Sequence, residues 1–466
     1  MLGGRLTEAE ADLLAAAGVE AVRLALLAAN ARIARLQLSA VSPATPSAAV
    51  AVYLKPTVKP HRKKKPGAKP GHAGSRRKTP AVIDARVDHR LGVCPCCGGE
   101  LQRCGRTRTR IIEDIPEQIT PVVTEHTLHR DYCKHCQKHV EPVVADAMPG
   151  AALGHHVVAL SSWFHYGLGL SLSQTREILG STMSTEITAG GLMSAWGRMA
   201  EALRPWYEQI ADQLRSTACL HADETGWRVN GQTHWLWCFC DPLSCFYLID
   251  RSRGGPALER FFTDAFEGTL VSDFWAAYDQ VVTEDRQFCL VHLLRELEKV
   301  DERNASPDWL AFARQLRRLV RDAIRLRKRA DFGPAKYTSR IGLINRRLNQ
   351  LANDAADGVY ADTDAKRLGD RIGKHRDHLF TFLDKPAVPF ENNHAERQVR
   401  PAVVMRKNIL CNRSTRGADT QAVLMSIYRT LKLRGHDPTK TVAAALREMI
   451  QSGKLPPLPA TSVAEG

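Results

Sequence analysis

The sequence predicts a multidomain protein organised around an α/β core, with smaller modules ahead of that core and a helical insertion within it. Three observations predict this. The chain has 466 residues, more than one domain ordinarily holds. Its main series of β-prone runs, interleaved with helical patterns, starts only near Cys219. Before that point the composition changes abruptly, from Ala/Leu-rich to Pro/Gly/Lys-rich to Cys-bearing to helical.

Residues 1–41 read as an N-terminal helix. Val19, Val22, Leu26, Ala29, Ile33 and Leu36 fall at alternating steps of three and four, the seam of a short coiled coil. An ordinary amphipathic helix packed on its own domain carries the same seam. Residues 42–80 are rich in Pro, Ala, Gly and Lys, a composition that cannot build a core and reads as a disordered arm. The formal net charge is +15, and ten Lys or Arg with no acid lie between Lys55 and Lys78. A charge run is often only a solvated linker. Here its single sign and its place before a Cys module favour phosphate contact by Arg62, Lys63, Lys64, Lys65, Lys69, Arg76, Arg77 and Lys78. No apolar run approaches a bilayer span and no secretory leader is present, so a cytoplasmic protein with reduced cysteines is expected.

Residues 81–150 carry the pairs Cys94-x-x-Cys97 and Cys133-x-x-Cys136 around β-prone sequence such as 119–124. Two such knuckles complete a tetrahedral structural zinc site in a ribbon-like module. Cys96, Cys104, His135 and His139 are spare donors, and reduced cysteines in metal-free turns are the alternative. Residues 151–212 are helical. A helix starting at the cap Ser171, a polar turn from Gly180 to Thr188 and a helix holding Leu192, Trp196 and Met199 fit a helix-turn-helix-like DNA-binding segment. They fit a plain helical subdomain equally well.

Residues 213–410 form the core. The strand from Cys219 holds Asp223, Asn230-Gly231 marks a hairpin, and Cys245–Ile249 is a third strand. A helix from Gly255 to Phe266 follows, then a strand ending at Asp273, a helix from Phe274 onward, a strand over Arg286–Val291 and a helix over Leu293–Val300. That order is the order of a ribonuclease H-like sheet, and it sets Asp223 and Asp273 on adjacent strands. A charged helical insertion over about 301–385 precedes a helix that brings in Glu396, and residues 411–466 are a helical tail.

The carboxylates of Asp223, Asp273 and Glu396 are therefore the candidate catalytic set, able to hold two divalent cations for phosphodiester chemistry. Each has a plain structural reading: strand-end cap, helix cap, and an i,i+4 ion pair with Arg400. Glu391 rivals Glu396, but five residues apart they face different sides of a helix. Asn392 shares a face with Glu396 and either orients it or meets DNA. Cys289 and His292 read as a buried Cys and a His lining the site. Gly369-x-x-x-Gly373-Lys374-His375 is one residue short of a phosphate loop and lacks its hydroxyl.

With these motifs the chain resembles the bacterial transposases of insertion-sequence family sixty-six over nearly its whole length. The basic arm, paired knuckles, Asp223-Glu-Thr, Ser272-Asp273 with Tyr278, and Cys289-x-x-His292 stand in the family's order. So do Asn392-Asn393-x-x-Glu396-Arg397 through Arg400-Pro401, Arg406-Lys407-Asn408 and Leu433–Pro438. Glu391, where the family usually has Asp, and the extra Cys96 depart from the pattern. The resemblance implies a DDE-type enzyme that cleaves element ends and joins them to target DNA. It further implies two Mg (or Mn) ions on Asp223, Asp273 and Glu396, one structural Zn on Cys94, Cys97, Cys133 and Cys136, and DNA contacts from the arm, Asn392, Arg397 and Arg400. Assembly as a homo-oligomer on DNA, with accessory proteins in some systems, follows from the same resemblance. A non-catalytic zinc-containing DNA-binding descendant and a nuclease that cuts without joining are the alternatives.

Overall fold

The computed structural model describes residues 80–462, apart from 103, 105–106, 117–118 and 330–331, together with positions 16, 18, 19, 22 and 26. The basic arm and most of the N-terminal seam lie outside the described residues. The chain divides into two compact units, Ala51–Ile119 and the remainder.

In the smaller unit the first knuckle is a tight turn. Cys94 N–H donates to the Gly99 carbonyl at 2.9 Å and Gly98 N–H to the Cys94 carbonyl at 2.8 Å, with Gly98 in the left-handed region at φ 72°. In the larger unit the second knuckle joins β1 (Asp131–Cys133) to β2 (Lys138–Val140). The β-prone stretch at 119–124 forms no strand; Val122 and Val123 are 94% and 89% exposed.

Four helices lead into the core: α1 (His155–Ser162), α2 (Leu172–Met183), α3 (Ala189–Ala202) and α4 (Arg204–Arg215). Ser171 caps α2 in a reciprocal box with Gln174, and Thr188 caps α3. The buried stripe Leu192, Ala195, Trp196 and Met199 joins α3 to the main hydrophobic core.

The sheet has five strands in the order β5-β4-β3-β6-β7. They are β3 (Cys219–Val229), β4 (Gln232–Cys240), β5 (Cys245–Asp250), β6 (Phe266–Ser272) and β7 (Thr283–Phe288). β3, β4 and β5 are antiparallel neighbours; β6 and β7 run parallel to β3. Asn230 and Gly231 turn the first hairpin with φ of 49° and 74°, the double left-handed geometry a two-residue turn needs. Side chains alternate across the sheet: Leu270 belongs to one core and Val271 to the other.

Three local expectations are corrected. Helix α5 (Gly255–Phe261) stops five residues early, because Phe266 N–H is already paired with the Val282 carbonyl as β6 starts. The helix between β6 and β7 is a single 3₁₀ stretch, Ala276–Gln280. β7 lies three residues upstream of its expected place, and Leu290 already belongs to α6 (Leu290–Asp301).

The insertion continues as α7 (Pro307–Arg327), α8 (Pro334–Ala356), α9 (Thr363–Lys374) and the short α10 (Thr381–Asp384), packed around their own core of Trp309, Phe312, Leu316 and Leu368. α11 (Asn393–Ile409), α12 (Thr415–Leu433) and α13 (Pro438–Ser452) close the chain. α12 covers edge strand β5, where Ser426 and Thr430 hydroxyls accept from the N–H groups of Tyr247 and Cys245 at 2.8 and 3.1 Å. That pairing removes the open edge a terminal strand otherwise presents. No helix among the described residues is long and apolar enough to cross a membrane.

Candidate active site

β3 and β6 pair in register, His221 opposite Val271. Asp223 follows His221 by two residues within β3, and Asp273 follows Val271 by two residues, directly after the end of β6. Each carboxylate spends one oxygen locally. Asp223 Oδ1 accepts from the Glu224 N–H and Asp273 Oδ1 from the Trp275 N–H, both at 2.9 Å. Neither is the cap of the plain reading, since Asp223 lies inside β3 and the 3₁₀ stretch after Asp273 starts from Trp275 without a side-chain cap, and the second oxygen of each carboxylate is left uncommitted.

Glu396 comes from the first turn of α11, and Asn392 fixes where that helix starts. Its side-chain N–H donates to the Ala222 carbonyl at 2.7 Å, its Oδ1 lies 3.0 Å from His221 Nδ1, and its backbone N–H donates to Cys289 Sγ at 3.2 Å. Cys289 N–H in turn donates to the Ser272 carbonyl at 2.9 Å. The first half of β3, the ends of β6 and β7 and the start of α11 are therefore laced together through the buried side chains of Asn392 and Cys289. Burial pushes the His221 pKa down to about 4, which keeps the imidazole neutral. Asn392, 1% exposed, is spent on this lacing, which corrects the expectation that it meets DNA.

Negative charge accumulates here. Burial first, and then the charges of Glu224, Asp273 and Glu396, hold Asp223 well above the usual carboxylate range. Glu224 is handled differently. Its side chain is 2% exposed and accepts from Arg253 at 3.0 and 3.1 Å and from the Tyr278 hydroxyl at 2.7 Å. Arg253 is held by the rings of Trp235 and Trp275, at 4.4 and 3.9 Å, and its carbonyl accepts from the Trp275 indole. Glu396 pairs with Arg295 at 3.3 Å and His292 at 3.5 Å, both from α6, rather than with Arg400. Among the described residues no three acids, His or Cys are drawn close enough to form a ready metal cage. The donor set nonetheless fits a hard divalent cation: oxygen ligands, and an Asp223 carboxylate crowded by acids with no basic side chain bonded to it.

Arg397 and Arg400 lie exposed on α11 and line a groove of about 290 Å³ with Leu168, Gly169, Pro401 and Val404. Arg62, Lys63, Lys64, Lys65, Lys69, Arg76, Arg77 and Lys78 lie outside the described residues. In each knuckle the first cysteine has a pKa held below the ordinary thiol value. Backbone N–H groups of Cys96 and Cys97 lower the Cys94 pKa, and that of Cys136, with its thiol, lowers Cys133. Sequence reasoning missed Arg253, Trp275 and Arg295. Only Arg295 left a signal, three residues after His292 and so on the same helical face.

Residues 150–420 match the family model described as the Transposase IS66 family, and residues 92–137 match the zinc-finger binding domain of transposase IS66. Similar curated proteins come from Sinorhizobium fredii (strain NBRC 101917 / NGR234). Uncharacterized protein y4jD is 24% identical over 401 residues, covering 79% of this chain and 76% of the relative. Uncharacterized protein y4qI is 23% identical over 432 residues, covering 84% and 76%.

Proposed function

Because the chain belongs to the IS66 transposase family, we propose that it cleaves DNA at the ends of a mobile element and joins the freed 3′-hydroxyl to target DNA. Asp223, Asp273 and Glu396 are the catalytic acids of this reading, on a sheet read as ribonuclease H-like from its order of three antiparallel and two parallel strands. One observation supports it: Asp223 within β3 and Asp273 just after the neighbouring β6 each lie two residues past a paired position, and Asn392, at the start of the helix bearing Glu396, is bonded to Ala222 and, through Cys289, to Ser272.

Two divalent cations on the three acids would polarise the phosphodiester, activate water for cutting and stabilise the leaving oxygen. The chain's own part is positional. Asp223 within the central strand and Asp273 just after its neighbour present their free oxygens from a rigid sheet, which is worth several kcal/mol when reacting groups must be held in line. Arg253 and Tyr278 bind the Glu224 carboxylate and so keep this neighbouring acid's oxygens occupied, away from the cations that Asp223 would hold. Arg295 and His292 hold Glu396 until it is engaged. No side chain needs to form a bond to DNA.

Zinc held by Cys94, Cys97, Cys133 and Cys136 would organise the module ahead of the core, supported by the match over residues 92–137 and the thiolate-favouring turns. The arm, Arg397 and Arg400 would hold DNA phosphates.

The test is cleavage and strand transfer on element-end DNA with Mg²⁺. Asp223→Asn, Asp273→Asn and Glu396→Gln should each lower both steps by at least about 10³-fold while DNA binding persists. Full activity in any one of them contradicts the assignment.

A further inference from the structure

The helical insertion carries a charge pattern that the acidic site does not use. On α7 the exposed positions include Arg314, Arg318, Arg321 and Arg325, spaced by four, three and four residues along one face. The opposite face, with Leu316, Leu319, Val320 and Ala323, is buried in the core of the insertion. An exposed helix normally relieves such a row by placing an acid four residues from each base. Here the residue four before Arg318 is Arg314, before Arg321 is Arg317, and before Arg325 is Arg321. Like charges at that spacing weaken a helix.

Arginines of α7 that turn away from this row are committed. Arg317 pairs with Asp301 at 2.6 Å and Arg327 donates to the Pro386 carbonyl. Within the row, Arg318 and Arg325 share one acid, Asp322, at 3.9 and 3.7 Å, and Asp322 is already taken by Arg347 at 2.9 Å. Arg314 and Arg321 have no acidic partner among the described residues. The insertion is thus selective: it satisfies its inner arginines and leaves the outer row of four with one shared, already engaged acid.

We propose that the Arg314–Arg325 face of α7 is a second DNA-binding surface that grips duplex phosphates without reading sequence. This rests on the reading that DNA is what the chain acts on. The row extends roughly 16 Å along the helix axis, about the rise of five phosphates along one strand. Planar guanidinium groups suit phosphate oxygens better than any other side chain.

The experiment uses the full chain carrying Asp223→Asn, so that nothing is cut, and a random-sequence duplex titrated with salt. Replacing Arg314, Arg318, Arg321 and Arg325 together by Ala should lower the slope of log affinity against log salt by roughly 3.6, at about 0.9 per lost contact. The corresponding fourfold Lys variant keeps the charge and should keep most of the slope. An unchanged slope in the Ala variant overturns the proposal, as does an equal loss in the Lys variant, which would mark a packing defect. An unchanged slope with lost self-association overturns it too, by assigning the row to an acidic protein face. If the Asp223→Asn parent binds no duplex, the reading it rests on falls with it; if the parent binds and the Ala variant matches it, only this surface falls.

Discussion

On the central strand β3, Asp223 lies among Glu224, Asp273 and Glu396 and is pushed toward protonation, while on α7 two of four exposed arginines share one aspartate that is already engaged and the other two have no acidic partner among the described residues. The two regions hold opposite charge in the same way, by leaving it uncompensated on a rigid element. Folding alone does not favour either arrangement, since crowded like charges cost stability in both. Elsewhere the chain balances its charges closely: Glu224 has Arg253, and Asp364 has Arg303 at 2.6 Å. Under the proposed function, charge would arrive from outside at both places, cations at the three acids and phosphates at the insertion.

The comparison can be broken at its balanced member. Arg253→Met removes the cation from Glu224 and leaves a buried carboxylate with only Tyr278. The expected cost is about 3–5 kcal/mol, read by urea unfolding at neutral pH. A double variant that also carries Glu224→Gln should recover most of it. Failure of that rescue would mean that Arg253 acts through its ring contacts instead.

Asn392→Ala tests the lacing. It strands the Ala222 carbonyl and the His221 ring nitrogen, at a cost of about 1–3 kcal/mol, and should lower cleavage far more than binding, because Glu396 loses its fixed origin. Equal losses in cleavage and binding would point to general unfolding.

The smallest effect is the most diagnostic of crowding. The folded-state pKa of Asp223 lies above its unfolded value, so the native state binds that proton more tightly and stability falls as pH rises between the two. Asp223→Asn should therefore raise the melting temperature by roughly 2–4 °C for each kcal/mol relieved in metal-free buffer near pH 8. The gain over the parent chain should shrink toward pH 4. A variant no more stable than its parent at pH 8 contradicts the crowding.

Much of this was legible in the chain. Asn230-Gly231 announced its hairpin because only a few residue types accept two successive left-handed conformations. Asp223 and Asp273 stood out because each ends an apolar run. β7 was misplaced because its first residues, Thr283, Glu284 and Asp285, are polar on an edge strand, while the apolar stretch Cys289–Val291 is the buried opening of α6. Arg253 was invisible for a different reason. Its three partners, Trp235, Trp275 and Glu224, are brought together only by the turn after β5, and no local pattern encodes that meeting. Asn392 could be placed beside Glu396 by helical spacing, but its burial depends on the strand it docks against.

The central claim is that Asp223, Asp273 and Glu396 form one divalent-cation site. Direct Mn²⁺ binding, followed by electron paramagnetic resonance on the purified chain and on single variants, tests it most directly. The parent should bind Mn²⁺, and Asp223→Asn, Asp273→Asn and Glu396→Gln should each lose that binding by at least about tenfold, with Glu391→Gln close to the parent. Loss in Glu391→Gln with retention in Glu396→Gln would contradict the assignment of the third acid, and unchanged binding in all four would contradict the site.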